Sequence, residues 1–219
     1  MRRFFVGITG ASGHAYAEGV IRALVAAGHG VDLSVTGAGA QVIAHELGVD
    51  VGERGVKLAS ALPGWLGPEV AEHVRAFQLD EVGAPPSSGT SLTGGTILVP
   101  CSMGTMARVA AGFSSNLVER VADVALKERR RLIIVPRETP VSEVHLTNML
   151  TLLRMGAAVL PAMPGFYHLP KTIDDLVNHI VGKVLDTLGV ENAVGARWSG
   201  LEPEGDEGTS RRNSDQGAD

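Results

Sequence analysis

The sequence predicts an α/β protein built on a three-layer, doubly wound, mostly parallel sheet of the flavodoxin-like or Rossmann-like kind. Three observations predict it. Short apolar runs at residues 4–9, 31–36, 96–100 and 132–135 alternate with amphipathic stretches of helical length, as expected when strands buried on both faces are joined by helical crossovers. Glycine is abundant, at 28 of 219 residues, and gathers where strand gives way to helix, where backbone must approach a ligand or a neighbouring helix closely. Hydrophobic residues make up 44% and charged residues 20%, a composition and length that suit one domain with a full core.

Taken in order, Phe4–Thr9 reads as a buried strand running into Gly10-Ala11-Ser12-Gly13. A helix follows over about Ala15–Ala27 and ends at Gly28-His29-Gly30. Val31–Thr36 is a second strand and Ala38–Leu47 a second helix, a right-handed βαβ opening. Residues 49–70 carry scattered Gly and Pro and read as a short helix with loops. Val74–Leu79 reads as a strand, and Gly83–Gly95 as a long Gly/Ser/Pro/Thr loop, of a length that in a compact domain usually serves function. Thr96–Pro100 is a strand, Met103–Ala111 and Asn116–Glu128 are helices, and Leu132–Val135 is a strand. Ser142–Met155 is a helix, Ala158–Leu160 a short strand, and Thr172–Leu188 a last amphipathic helix. Residues 1–198 form one domain; 199–219 turn polar and Gly-rich, the composition of a disordered tail.

A net charge of −5 gives no reason to expect a nucleic-acid or membrane partner. The longest apolar runs are too short for a membrane span. The single cysteine, Cys101, excludes an intrachain disulfide and a Cys-rich metal site and suits a reducing cytoplasm. His145 and His168 have no ligand-spaced partner, so no metal is expected.

Four places invite chemistry. Gly10-Ala11-Ser12-Gly13 ends a strand and opens a helix; N–H groups there suit an anion or a polar ring edge, and Ser12 can cap or donate. A plain strand-to-helix turn explains the same residues equally well, and the spacing is not that of a dinucleotide fingerprint. Pro100-Cys101-Ser102-Met103-Gly104-Thr105 repeats the geometry. Its hydroxyls can reach a flat heterocycle, while Cys101, with no basic neighbour in sequence, reads as packing. The third place is a cationic stretch of Arg120, Lys127, Arg129, Arg130, Arg131 and Arg137, with Glu138 beside the last. Arg120 and Lys127, seven apart, share a helix face. Arg129–Arg131 read as a solvated helix end, whereas Arg137 and Glu138 follow a strand at the ligand edge and suit a phosphate and a proton. Fourth, Pro164-Gly165-Phe166-Tyr167-His168 places two of the chain's few aromatics in a loop. Tyr167 can meet a phosphate or an alkene there, though a core Phe with a half-buried Tyr accounts for the pair as well.

These runs, with Ala122-Asp123-Val124-Ala125-Leu126-Lys127-Glu128-Arg129-Arg130, Val135-Pro136-Arg137-Glu138-Thr139-Pro140 and His145-Leu146-Thr147-Asn148-Met149, resemble the flavin prenyltransferases of the UbiX type over about residues 4–198. The resemblance implies an enzyme that joins a dimethylallyl group from dimethylallyl phosphate to N5 and C6 of reduced FMN without a metal. The product, prenylated FMN, is the cofactor of UbiD-type decarboxylases. It further implies a homododecamer with active sites at subunit interfaces. Carried over by motif, Gly10, Ala11, Ser12, Thr36, Ser102, Met103, Thr105, Arg120 and Arg137 meet the flavin, Ser12 relaying a proton near N5. Lys127, Arg137, Tyr167 and Lys183 cradle the prenyl phosphate, Glu138 is the catalytic carboxylate beside it, and Trp198 closes the site. Three positions depart from relatives: Lys183 stands for an Arg or Lys, Val82 for a Trp, and Gly19 for an Arg. Two other readings are a relative of the flavin-dependent cysteine decarboxylases, against which Gly104 stands in place of their Asn, and a non-catalytic FMN-binding partner subunit.

Overall fold

The computed structural model describes residues 1–91, 93–197 and 200. Six strands form one sheet: β1 (Arg3–Ile8), β2 (Gly30–Val35), β3 (Val74–Ala76), β4 (Thr96–Cys101), β5 (Leu132–Pro136) and β6 (Ala158–Val159), in the order β3-β2-β1-β4-β5-β6. Every pairing is parallel. The helices are α1 (His14–Ala26), α2 (Gly37–Leu47), α3 (Leu58–Leu66), α4 (Pro68–Ala71), α5 (Met103–Ala110), α6 (Leu117–Lys127), α7 (Glu143–Arg154) and α8 (Ile173–Leu188). Chain direction across the sheet reverses between β1 and β4, so their carboxyl ends open a crevice of the kind in which doubly wound folds bind ligands.

The period of two in β1 sorts its side chains. Phe4, Val6 and Ile8 join one core with α1, α3 and α8, while Phe5 faces the other, with α5, α6 and α7. Gly7 lies on that second face, where a Cβ would come within 2.9 Å of Val118 Cγ1; its bareness lets α6 settle close on the sheet. Gly19 does the same for α1 and α8, since a Cβ there would meet Val181 Cγ2 at 2.7 Å. The departure at Gly19 therefore has a physical reason: this helix pair is packed too tightly for a side chain.

Three stretches differ from expectation. Residues 49–70 hold two helices and a 3₁₀ turn rather than one short helix. Leu58, Leu62, Trp65 and Leu66 are the buried face of α3, a helical spacing that Pro63 and Gly64 interrupt on paper. β3 stops at Ala76, because the chain beyond it peels toward α6, where Leu79 O accepts the Leu117 N–H at 2.8 Å. The long loop before β4 contains a 3₁₀ turn at Pro85–Ser87 and is pinned by Arg130, whose guanidinium donates to the carbonyls of Ser88, Gly89 and Ser91.

Candidate active site

The turn after β1 is built by exclusion. A Cβ on Gly10 would lie 2.5 Å from the Cβ of Ala38, so glycine lets α2 crowd the turn. Ala11 is buried and Ser12 exposed. The helix cap is not Ser12 but Gly13, left-handed at φ 108°, with no side-chain cap of its own. The anion that the N-terminus of α1 attracts is internal: Glu46 of α2 accepts the N–H groups of Gly13 (3.0 Å) and His14 (2.9 Å) and faces Nδ1 of the buried His14 at 3.2 Å. Ser12, Gly13 and His14 together hold the Glu46 carboxyl at about 2, against an opposing push from burial. Burial lowers the His14 pKa, so its ring enters the pair neutral. The turn is thus fastened by a side chain, and Ser12 stands at its rim.

The turn after β4 is tied to the first. Thr9 Oγ1 donates to Pro100 O at 2.9 Å and accepts the Ser102 N–H at 2.7 Å. Ser102 caps α5 and donates to Thr105 Oγ1 at 3.1 Å. Thr105 is only 2% exposed, and its hydroxyl also accepts from Arg108, which is paired with the buried Glu119. Ser102 is half-buried, Met103 nearly buried. Thr36 caps α2, accepting the Gly39 N–H at 3.1 Å. Cys101 is buried, and burial pushes its thiol up to about 12, which suits packing and not a thiolate.

The end of β5 reaches back across the crevice. Arg137 Nε donates to the carbonyl of Ser12 at 3.2 Å, so a guanidinium roofs the first turn. Glu138 is exposed, with one carboxylate oxygen on the Thr139 N–H at 3.1 Å. Gly10, Ala11, Ser12, Thr36, Ser102, Met103, Arg137 and Glu138 therefore share one edge of the sheet.

Two other predicted residues meet elsewhere. Tyr167 and Lys183 line a hollow of about 280 Å³ with His179, Asp186 and Arg197. Phe166 is 69% exposed, so this loop holds no core phenylalanine. Lys127 ends α6, bonded to Glu128 at 2.8 Å and close to Gly89. That end of α6 leads into the start of β5, whereas Arg137 follows its finish; the strand between them spans roughly 16 Å at 3.3 Å per residue. One chain does not bring Lys127 to Arg137. Arg120 lies toward the other end of α6, 3.8 Å from Asp123. Trp198 lies outside the described residues.

Sequence reasoning missed Glu46, His14 and Thr9. Glu46 lies 32 residues from His14, in a helix whose place in the sequence gives no sign of the contact. The one available signal was the lack of a capping side chain at Gly13.

The chain and its fold have known counterparts. The flavoprotein family profile matches residues 1–185. The flavin prenyltransferase UbiX of Halalkalibacterium halodurans is 49% identical over 195 residues, covering 89% of this chain and 92% of that protein. A UbiX crystallised with FMN and dimethylallyl pyrophosphate superposes at TM-score 0.78 with 37% identity, covering 92% of this chain and 99% of that one. A dodecameric FMN-dependent UbiX-like decarboxylase of Escherichia coli O157:H7 superposes at 0.76 with 38% identity, covering 91% of this chain and all of that one. With a family match over residues 1–185 and relatives about half identical over nine-tenths of the chain, the chain belongs to the flavoprotein family and, within it, to the UbiX flavin prenyltransferases.

Proposed function

We propose that this chain transfers a dimethylallyl group from dimethylallyl phosphate to reduced FMN, that the flavin lies along the crevice edge of the sheet, and that the prenyl phosphate is held by residues a single subunit does not bring together. The observation that carries the reading is Arg137, which joins the end of β5 to the turn after β1 through the Ser12 carbonyl. The crevice fits a flat, polar-edged ring. Glycine at residue 10 lets α2 close on the first turn, the hydroxyls of Ser12, Thr36 and Ser102 lie along the crevice edge, and both flanking turns are hydrogen-bonded.

When bound, reduced FMN supplies the nucleophilic N5 and C6 that accept the prenyl carbon. The protein's part is positional and electrostatic. Gly10, Ala11, Ser12, Thr36, Ser102, Met103, Arg120 and Arg137 hold the flavin, with Thr105 buttressing Ser102 from behind. Ser12, hydrogen-bonded to Glu46, holds a proton at the crevice rim. As the allylic carbon–oxygen bond breaks, negative charge grows on the phosphate, and fixed cations placed there stabilise it. Lys127, Arg137 and Lys183 supply that charge, Tyr167 a hydroxyl, and Glu138 takes or returns the proton beside the departing phosphate.

Lys127 and Arg137 lie at opposite ends of β5, so a complete cradle needs more than one copy of the chain. Helix α7 supports this: Leu146, Leu150 and Leu153, at i, i+4 and i+7, form an exposed apolar stripe, the mark of a surface covered by a partner. The dodecameric UbiX-like protein described above is the assembly we assign to this chain. A UbiD-type decarboxylase is the consumer of prenylated FMN, and the cytoplasm is where reduced flavin and a lone cysteine both persist. The test is anaerobic incubation with reduced FMN and dimethylallyl phosphate. The flavin mass rises by one prenyl unit if the reading holds, and an unchanged mass refutes it.

A further inference from the structure

The hollow that holds Tyr167 and Lys183 contains a side chain to which neither the family motifs nor the proposed reaction gives a task. His179, on α8, touches the loop after β6 at two points: Nδ1 is 3.1 Å from the Gly165 backbone nitrogen, and Nε2 is 3.0 Å from Tyr167 Oη. We propose that His179 is a positioning residue for prenyl-phosphate capture, clamping the Gly165–Tyr167 loop to α8 through both ring nitrogens, and only as the neutral ring protonated at Nε2. The proposal rests on the prenyltransferase reading for the role of Tyr167.

The tautomer follows from the partners. A backbone N–H can only donate, so Nδ1 must present its lone pair to Gly165. The neutral ring then carries its hydrogen on Nε2 and donates it to Tyr167 Oη, which enters this pair as acceptor. A charged imidazolium would set an N–H against the Gly165 N–H and break that end of the clamp. Glycine at residue 165 makes the arrangement possible, because a Cβ there would lie 2.6 Å from the Tyr167 ring and 3.5 Å from His179 Cε1.

The surroundings keep the ring neutral. His168 stacks on it at 5.1 Å and 17°, Tyr167 meets it edge-on, and Lys183 follows one turn along α8. Asp186 and Arg197, which complete the hollow, are spent on each other at 2.9 Å. Asp175, one turn earlier on α8, is held by the N–H groups of Lys171 and Thr172. Burial, then His168, then Lys183 all press the His179 pKa below its usual value. The clamp is therefore whole at neutral and alkaline pH and fails as pH falls through that lowered value.

The test uses the full chain loaded with oxidised FMN, so that donor binding is read without turnover. Calorimetry gives the Kd for dimethylallyl phosphate, and steady-state kinetics with reduced FMN give kcat and KM. For His179→Phe we expect a Kd and KM about five- to tenfold higher, the loss of one or two net hydrogen bonds. The kcat at saturating donor and the FMN affinity should stay within twofold. His179→Gln, whose amide can replace the Nε2 donor, should recover part of the loss. Wild-type Kd should rise on acidification more steeply than that of His179→Gln, whose residual slope reports only the donor phosphate, with a pKa near 6. Equal Kd and parallel pH profiles in all three proteins overturn the clamp, as does a fall in kcat at unchanged Kd. Wild type that neither binds nor transfers the donor overturns the prenyltransferase reading instead. The clamp is then judged by inorganic phosphate affinity across the same three proteins, equal values refuting it.

Discussion

Glu46→Gln should loosen the β1–α1 turn, and its cost can be worked from the structure. The carboxylate accepts two backbone N–H groups and faces a histidine nitrogen, all between 2.9 and 3.2 Å. Its pKa of about 2, against an ordinary 4.5, corresponds to about 3 kcal/mol before solvent screening, at about 1.4 kcal/mol per unit. The side chain is 23% exposed, and screening reduces that to about 1–2 kcal/mol. A depressed carboxylate pKa means the unfolded chain binds the proton more readily than the folded one. The stabilisation is thus complete above pH 4.5 and is lost as pH falls toward about 2. In a chain of this size the loss should lower the thermal midpoint by roughly 3–6 °C at neutral pH. The measurement is a pair of melts, wild type against variant, at one protomer concentration and at several pH values from 7 down to 3. The gap should hold to about pH 5 and then close. Equal midpoints at pH 7, or a gap that does not narrow in acid, would show that the turn is not held by this charge.

Glu138→Gln should bind FMN as tightly as wild type while prenyl transfer falls by roughly two orders of magnitude or more, the usual scale for a lost proton-transfer group; unchanged turnover removes Glu138 from the chemistry. Lys127→Ala should weaken donor binding roughly tenfold or more, as expected for a charge-assisted hydrogen bond, with FMN affinity intact. If the cradle spans subunits, co-assembling Lys127→Ala with Glu138→Gln protomers gives, at donor well below KM, more activity than the two variants measured separately; a mixture no more active than the sum of its parts argues against shared sites. Gly19→Arg should destabilise the chain by about 2 kcal/mol, because even its Cβ would meet Val181 at 2.7 Å and the cost is that of overpacking. A midpoint equal to wild type would show that α1 and α8 separate freely.

What was legible in the sequence was whatever local chemistry dictates. Continuous apolar runs fixed β1, β2, β4 and β5 to within a residue or two, because a strand buried on both faces admits no alternation. Thr36, Ser102, Asn116, Ser142 and Thr172 all cap helices, each a short polar residue before an apolar run. α3 was blurred because Pro63 and Gly64 break its pattern, although its buried face keeps helical spacing. At the first turn the cap fell one residue later than Ser12, and for a different reason. The N–H groups of Gly13 and His14 are taken by Glu46, which comes from a helix that the sequence gives no cause to connect with the turn.

The same limit explains the cationic residues. On one helix Arg120 and Lys127 share a face, and in sequence Lys127 and Arg137 are ten apart, which makes a common phosphate site easy to imagine. Topology separates them, because a helix that crosses back over a parallel sheet delivers its last residue to the edge opposite the ligand crevice. A lysine at that edge, beside a loop that Arg130 pins through three carbonyls, cannot serve its own chain's Arg137. It can serve a neighbour's, provided the exposed stripe of α7 and the surfaces around it bring copies together. On the proposed assembly, the motif spacing reflects the chemistry of a shared site, and the single fold says which parts of it each subunit would lend.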